Sequence, residues 1–126
     1  MIGVAYFSAS GNTRAFLQKT GIESLSIPSN GALSMTKPFI LVVPTYSSGS
    51  GAGAIPRPVR QFLNHENNRS LIRGVVSSGD RNFCATYCYS GTEIKRRFHV
   101  PILHQFELTG TPSDVTRVQE IVTTWH

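Results

Sequence analysis

The chain has 126 residues, 40% of them hydrophobic and 15% charged, with a formal net charge of +5. That length suits one domain with a sizeable core, and that balance excludes a disordered chain. No apolar run approaches membrane-spanning length, and the first residues fit a strand better than a signal peptide, so a soluble cytoplasmic protein is expected.

Residues 2–7 read as a short buried strand. They lead into Ser8-Ala9-Ser10-Gly11-Asn12-Thr13, and residues 12–20 read as a helix that Gly21 stops. A strand, a hydroxyl-rich turn and a helix N-terminus together make an anion site. Backbone N–H groups point out of the first helical turn, and the helix dipole favours negative charge there. Ser8, Ser10 and Thr13 each carry a hydroxyl donor. Gly11 lets the backbone take conformations that a side chain forbids. No Gly-Lys-Ser/Thr follows, and the dinucleotide glycine spacing is absent. A loop of hydroxyls and amides without lysine suits a terminal monophosphate. Ser-x-Ser-Gly-x-Thr resembles the FMN phosphate loop of flavodoxins; an ordinary capped strand-to-helix turn is the competing reading.

Leu25 to Ile27 reads as a short second strand, and residues 28–38 as a loop without helical period. Phe39 to Val43 is continuously apolar, as in a central strand covered on both faces. A second loop follows, Pro44 to Ala54, rich in glycine and serine. Its backbone can lie flat against a planar ligand. The next helix has Pro56 and Pro58 in its first turn and Ile55, Val59, Phe62 and Leu63 on its apolar face.

Asn64 to Ser70 reads as a polar connection and Leu71 to Ser77 as a strand. A third loop, residues 78–89, contains Gly79, Asp80, Asn82, Phe83, Tyr87 and Tyr89. Its amides, with the side chains of Asp80 and Asn82, are suited to pair with a pyrimidine-like edge. Tyr46, Phe83, Tyr87 and Tyr89 are the available stacking groups. Ser90-Gly91-Thr92-Glu93 matches a capping box opening a helix to about Phe98. Ile102 to Leu108 reads as an edge strand carrying His104, Gln105 and Glu107. Thr111 to Asp114 caps a last helix, with Val115, Val118, Ile121, Val122 and Trp125 on one side.

Strands alternating with helices imply a parallel sheet with helices on both faces. Ligands in such sheets sit beyond the carboxyl ends of the strands. Loops 8–13, 45–54 and 78–89 all follow such ends. The first is suited to a phosphate, the other two to the faces of a flat ring.

Cys84 and Cys88 are too few for a disulfide scaffold and lack redox-dithiol spacing, while the four histidines lack ligand spacing, so no metal site is expected. Lys95-Arg96-Arg97 reads as a solvated helix face. Basic residues do not alternate with aromatic ones as in single-strand binders, so neither nucleic acid nor a membrane is an expected partner.

With the three loops read, the chain resembles the flavodoxin-like NrdI family of class Ib ribonucleotide reductase systems. The resemblance runs over nearly the whole length. It rests on Phe7 to Thr13, Val43-Pro44-Thr45-Tyr46, Gly51 to Arg57, Arg73-Gly74-Val75, Ser78-Gly79-Asp80-Arg81-Asn82-Phe83 and Phe106-Glu107-Leu108-x-Gly110-Thr111. It implies a shortened, doubly wound flavodoxin-like sheet of five parallel strands in the order 2-1-3-4-5, without a helix between strands two and three. It implies FMN as cofactor. Ser8, Ser10, Gly11, Asn12 and Thr13 would hold the phosphate. Thr45, Tyr46, Ser47, Ser48 and Gly49 would line one side of the isoalloxazine, with Gly49 the candidate peptide near flavin N5. Gly79, Asp80, Asn82 and Phe83 would line the other side, with Tyr87 and Tyr89 as further ring contacts. Cys84 and Cys88 depart from the small residues expected at their positions.

The resemblance also implies a role. The reduced flavin would react with oxygen, and the superoxide or peroxide would serve assembly of the dimanganese–tyrosyl radical cofactor in the reductase small subunit. An unidentified protein would supply the electrons. The competing classes are a one-electron carrier flavodoxin, which is usually acidic, and a basic binding module without cofactor.

Overall fold

The computed structural model describes residues 2–8, 10–45, 55–79 and 88–125, with the backbone alone at Tyr89. Five strands form one sheet: β1 (Gly3–Tyr6), β2 (Leu25–Ser26), β3 (Phe39–Pro44), β4 (Ile72–Gly79) and β5 (Ile102–Glu107). The order is β2-β1-β3-β4-β5, and every pairing is parallel. Among the described residues, five helices accompany them: α1 (Asn12–Thr20), α2 (Arg57–Leu63), α3 (Glu66–Leu71), α4 (Tyr89–Phe98) and α5 (Pro112–Thr123). The doubly wound α/β arrangement and the strand order agree with the sequence reading.

The apolar run of β3 explains its central place. Phe39, Leu41 and Val43 face one core cluster with Val59, Phe62 and Ile94, while Ile40 and Val42 face the other with Phe16, Phe106, Val118 and Ile121. Side chains alternate across a strand, so a strand with both faces covered reads as an unbroken apolar run. Helices α1 and α5 cover one face; α2 and α4 cover the other. No helix lies between β2 and β3. Ile27 and Met35, at the two ends of that connection, fill the core instead.

Three expectations need correction. Residues 64–70 are not merely a connection, because Glu66–Leu71 form the short helix α3. That segment lacks an apolar stripe, and what anchors it is polar. Asn68 is fully buried; its Oδ1 accepts the Met35 N–H at 2.9 Å and its Nδ2 donates to the carbonyls of Leu33 and Phe62 at 2.8 and 2.9 Å. The strand after it accordingly begins at Ile72 rather than Leu71 and runs on to Gly79.

The expected capping box at Ser90 does not form. Helix α4 begins two residues earlier than that box implies, at Tyr89, and its N-cap is Cys88, at φ 55, with no side-chain cap bond. Ser90 is drawn inward to another partner, described below. Glu93, the expected return half of the box, instead meets Arg96 and Arg97 at 2.7 and 3.4 Å. The third correction is one of length: the first strand is Gly3–Tyr6, and the last ends at Glu107.

The cap expected for the last helix is present. The Thr111 hydroxyl accepts the Asp114 N–H at 3.2 Å, and Asp114 Oδ2 accepts the Thr111 N–H at 2.8 Å. Strand β5 is an edge strand, as its polar residues suggest, and His104 on it meets Asp114 at 2.7 Å. Burial alone pushes the Asp114 carboxyl up. Hydrogen bonds from the Thr111 N–H, His104 and the Thr111 hydroxyl, with the charge of His104, outweigh this and hold it below the usual carboxylate range. Among the described residues, no helix is long and apolar enough to cross a membrane.

Candidate functional site at the carboxyl ends of the strands

In the order β2-β1-β3-β4-β5, the connections from β1 and β3 leave in opposite directions across the sheet. The crevice between those two carboxyl ends is where this topology takes its ligand. Ser8 to Thr13 stand at the end of β1, Thr45 at the end of β3, and Gly79 at the end of β4. The sheet therefore brings these three groups to one edge. Tyr46, Ser47, Ser48 and Gly49, with Asp80, Asn82, Phe83 and Tyr87, lie outside the described residues. So does the side chain of Tyr89.

The first loop is the best-defined part of the site. Gly11 caps α1 with φ 90, a left-handed conformation that glycine adopts without steric cost. No side chain caps α1 at that residue, and its first turn holds no acidic residue. Ser8 reaches across instead. Its hydroxyl oxygen accepts the Arg14 N–H at 3.2 Å. As the acceptor there, Ser8 keeps its own proton for donation outward. Among the described residues, the N–H groups of Asn12 and Thr13 have no acceptor. They are the unpaired donors at the positive end of the helix dipole.

Thr13 is the most informative residue here. It is 1% exposed, yet its hydroxyl has no hydrogen-bond partner among the described residues. Buried hydroxyls are nearly always satisfied, so an orphan beside unpaired helix N–H groups marks a place for a ligand acceptor. Ser10 and Gly11 are exposed at the mouth of the loop, and Asn12 is half-buried. The exposed Arg14 adds a cation on the first turn. The donor set fits a phosphate: hydroxyls and amides that converge, with no carboxylate among the described residues of the loop.

The second and third loops are joined at their roots. The Thr45 N–H donates to the Ser78 carbonyl at 2.9 Å. The Thr45 hydroxyl lies 2.9 Å from that of Ser90 and accepts the Ser90 N–H at 3.2 Å. Thr45 thus stands at the end of β3 as expected, with its hydroxyl turned to the first turn of α4. Sequence reading missed Ser90 as part of this frame, because the two residues are 45 apart and nothing local links them. It also missed the placement of Cys88, which is fully buried. Cys88 Sγ donates to the carbonyls of Ser77 and Phe106 at 3.4 and 3.7 Å, at the ends of β4 and β5. Gly79 pairs with Glu107 across the same edge, and its carbonyl accepts the Leu108 N–H at 3.1 Å.

Comparison with known proteins agrees with this geometry. The family described as "NrdI Flavodoxin like" matches residues 4–120. The chain is 47% identical to Protein NrdI of Brucella ovis over 119 residues, covering 92% of this chain and 88% of that one. It is 41% identical to Protein NrdI of Ruegeria sp. (strain TM1040) over 121 residues, covering 94% and 86%. Among solved structures, a flavodoxin of Streptococcus pneumoniae TIGR4 superposes with a TM-score of 0.66 at 17% identity, covering 97% of this chain and 94% of that one. At that identity the likeness is one of fold.

Proposed function

The chain belongs to the NrdI flavodoxin-like family, and on that premise we propose that it binds FMN and serves the class Ib ribonucleotide reductase small subunit. Membership implies a flavin cofactor and association with ribonucleotide reductase; FMN, the subunit and the chemistry below are our reading. The observation that carries it is Thr13, a buried orphan hydroxyl at the positive end of α1, in the crevice where this strand order takes its ligand.

Ser8, Ser10, Gly11, Asn12 and Thr13 would hold the phosphate. Thr45, Tyr46, Ser47, Ser48 and Gly49 would line one face of the ring. Gly79, Asp80, Asn82, Phe83, Tyr87 and Tyr89 would line the other, with Gly49 supplying the peptide near N5. FMN held by these residues would supply the redox chemistry, passing electrons to oxygen so that superoxide or, with two electrons and two protons, peroxide would become available for dimanganese–tyrosyl radical assembly. The chain's part is to bind and orient. The unpaired N–H groups of Asn12 and Thr13 and the hydroxyls around them take the phosphate charge. The net charge of +5 stabilises an anionic reduced ring more than an acidic carrier flavodoxin would.

An unidentified reductant protein would supply the electrons. The setting proposed for the chain is the cytoplasm, where cysteine thiols stay reduced. Anaerobic reduction of the FMN-loaded protein, followed by oxygen and manganese-loaded small subunit, tests the role. Tyrosyl radical seen by electron paramagnetic resonance is the expected result. Reoxidation without radical, with a long-lived one-electron-reduced flavin, would replace this reading with that of a carrier.

A further inference from the structure

The corner after β5 touches both helix α1 and the end of β4. At Gly110 φ is 75, and a Cβ built there would lie 2.5 and 2.7 Å from Cδ1 and Cε1 of Phe16. Phe16 is fully buried on α1, one turn beyond Thr13. Its face stacks on Phe106, with ring centroids 4.0 Å apart and planes inclined by 16°. The ring therefore has Phe106 against one face and the backbone of Gly110 at its Cδ1–Cε1 edge. The same corner is fastened to the sheet. The Leu108 N–H donates to the Gly79 carbonyl at 3.1 Å, the Gly110 N–H to the Glu107 carbonyl at 2.8 Å, and Lys19 Nζ to the Thr109 carbonyl at 3.1 Å.

We propose that Gly110 and Phe16 are a positioning pair that fixes the N-terminus of α1 against the end of β4, and so sets the phosphate end of the cofactor site relative to its ring end. This rests on the flavin reading above. A methyl group at position 110 has no free volume to enter, because the Phe16 ring is rigid, fully buried and stacked on Phe106. The helix must give way, and the N–H groups of Asn12 and Thr13 move with it. The ring-side contacts come from other loops and stay in place. The pair thus governs phosphate recognition more than ring recognition.

The test compares apoprotein affinities for FMN and for riboflavin, which lacks the phosphate, by flavin fluorescence. Gly110→Ala is expected to lower the preference for FMN about tenfold, the worth of one charge-assisted hydrogen bond. Gly21→Ala is the control. It lies at the other end of α1 with a comparable φ of 68, but nothing lies within 4 Å of its Cβ position. It shares the backbone strain without the collision and should keep the wild-type preference.

Phe16→Leu loosens the pair from the other side and should lower the preference as well. In the double variant the added methyl fills the vacated space, and the preference should recover. An unchanged preference in Gly110→Ala or in Phe16→Leu overturns the proposal, as does an equal loss in Gly21→Ala. If Gly110→Ala does not fold, Phe16→Leu decides by the same measure. A wild-type protein that binds neither flavin overturns the flavin site and this pair together. A wild-type protein that prefers FMN, with variants that match it, overturns the pair alone.

Discussion

Ser77 and Cys88 exchange hydrogen bonds in both directions: the Ser77 hydroxyl donates to the Cys88 carbonyl at 3.2 Å, and the Cys88 thiol donates to the Ser77 carbonyl at 3.4 Å. Both residues are fully buried. β4 ends at Gly79, two residues after Ser77, and α4 opens from Cys88, so this exchange ties the end of β4 to the start of α4. Ser77→Ala is expected to cost about 1 kcal/mol by chemical denaturation, the net worth of one intramolecular hydrogen bond. Cys88→Ala removes the thiol donor that serves two buried carbonyls and should cost about 1–3 kcal/mol. Two variants as stable as the wild type would show that the exchange does not hold the root together.

Thr13→Val separates binding from folding. Valine keeps the shape and removes a buried hydroxyl that has no partner among the described residues. The apoprotein should melt at the wild-type temperature or slightly above it. Affinity for FMN should fall about tenfold, the loss of a hydrogen bond to a charged group. Thermal melts of the apoprotein and FMN titrations of the same samples read both effects. A drop in melting temperature with unchanged affinity would make Thr13 a structural residue.

Asn68→Ala tests the polar anchor beneath the connection that replaces a helix. It strands the Met35 N–H and the Leu33 carbonyl and takes one of the donors from the Phe62 carbonyl, at a fully buried position. A loss of about 2–4 kcal/mol is expected, since each stranded group carries its own desolvation cost. Urea denaturation measures it, and a loss within about 0.5 kcal/mol, the range of ordinary surface substitutions, would contradict the anchoring role.

Asp114 gives the fold a pH dependence of known sign. Its carboxyl is held below the ordinary aspartate value of 3.8. A depressed carboxylate contributes stability that is present above its unfolded pKa and lost as pH falls through the folded one. Asp114→Asn should therefore be less stable than wild type at neutral pH, by about 1 kcal/mol for a lost cap. The gap should close as pH drops below the ordinary aspartate value of 3.8. Denaturation midpoints of both proteins across that range check it. A constant gap would mean that the charge of Asp114 contributes nothing.

The fold was legible where the chain repeats itself or punctuates clearly. The unbroken apolar run of β3 announced a strand buried on both faces, and Thr111 with Asp114 announced the start of α5. What escaped was polar structure built from distant parts. Residues 64–70 carry no apolar period, so α3 left no pattern; its anchor is one buried amide. Ser90 and Glu93 have the spacing of a capping box, but Thr45 captures the serine and two arginines the glutamate. His104 suited a solvated edge, and its link to Asp114 needed β5 and α5 to be folded together. At the candidate site, sequence spacing singled out the loop at α1, and the structure adds that its buried threonine is unsatisfied. The ring-side residues from Tyr46 to Gly49 and from Asp80 to Tyr87 lie outside the described residues.

The central claim is that this crevice holds FMN. The most direct measurement is the absorption spectrum of the purified protein, with identification of any flavin released on denaturation and titration of the apoprotein with added FMN. Flavin absorption bands, FMN as the released species and saturable rebinding at one per chain are the predicted result. A colourless protein that also fails to bind added FMN would contradict the account and leave a basic binding module as the reading to pursue.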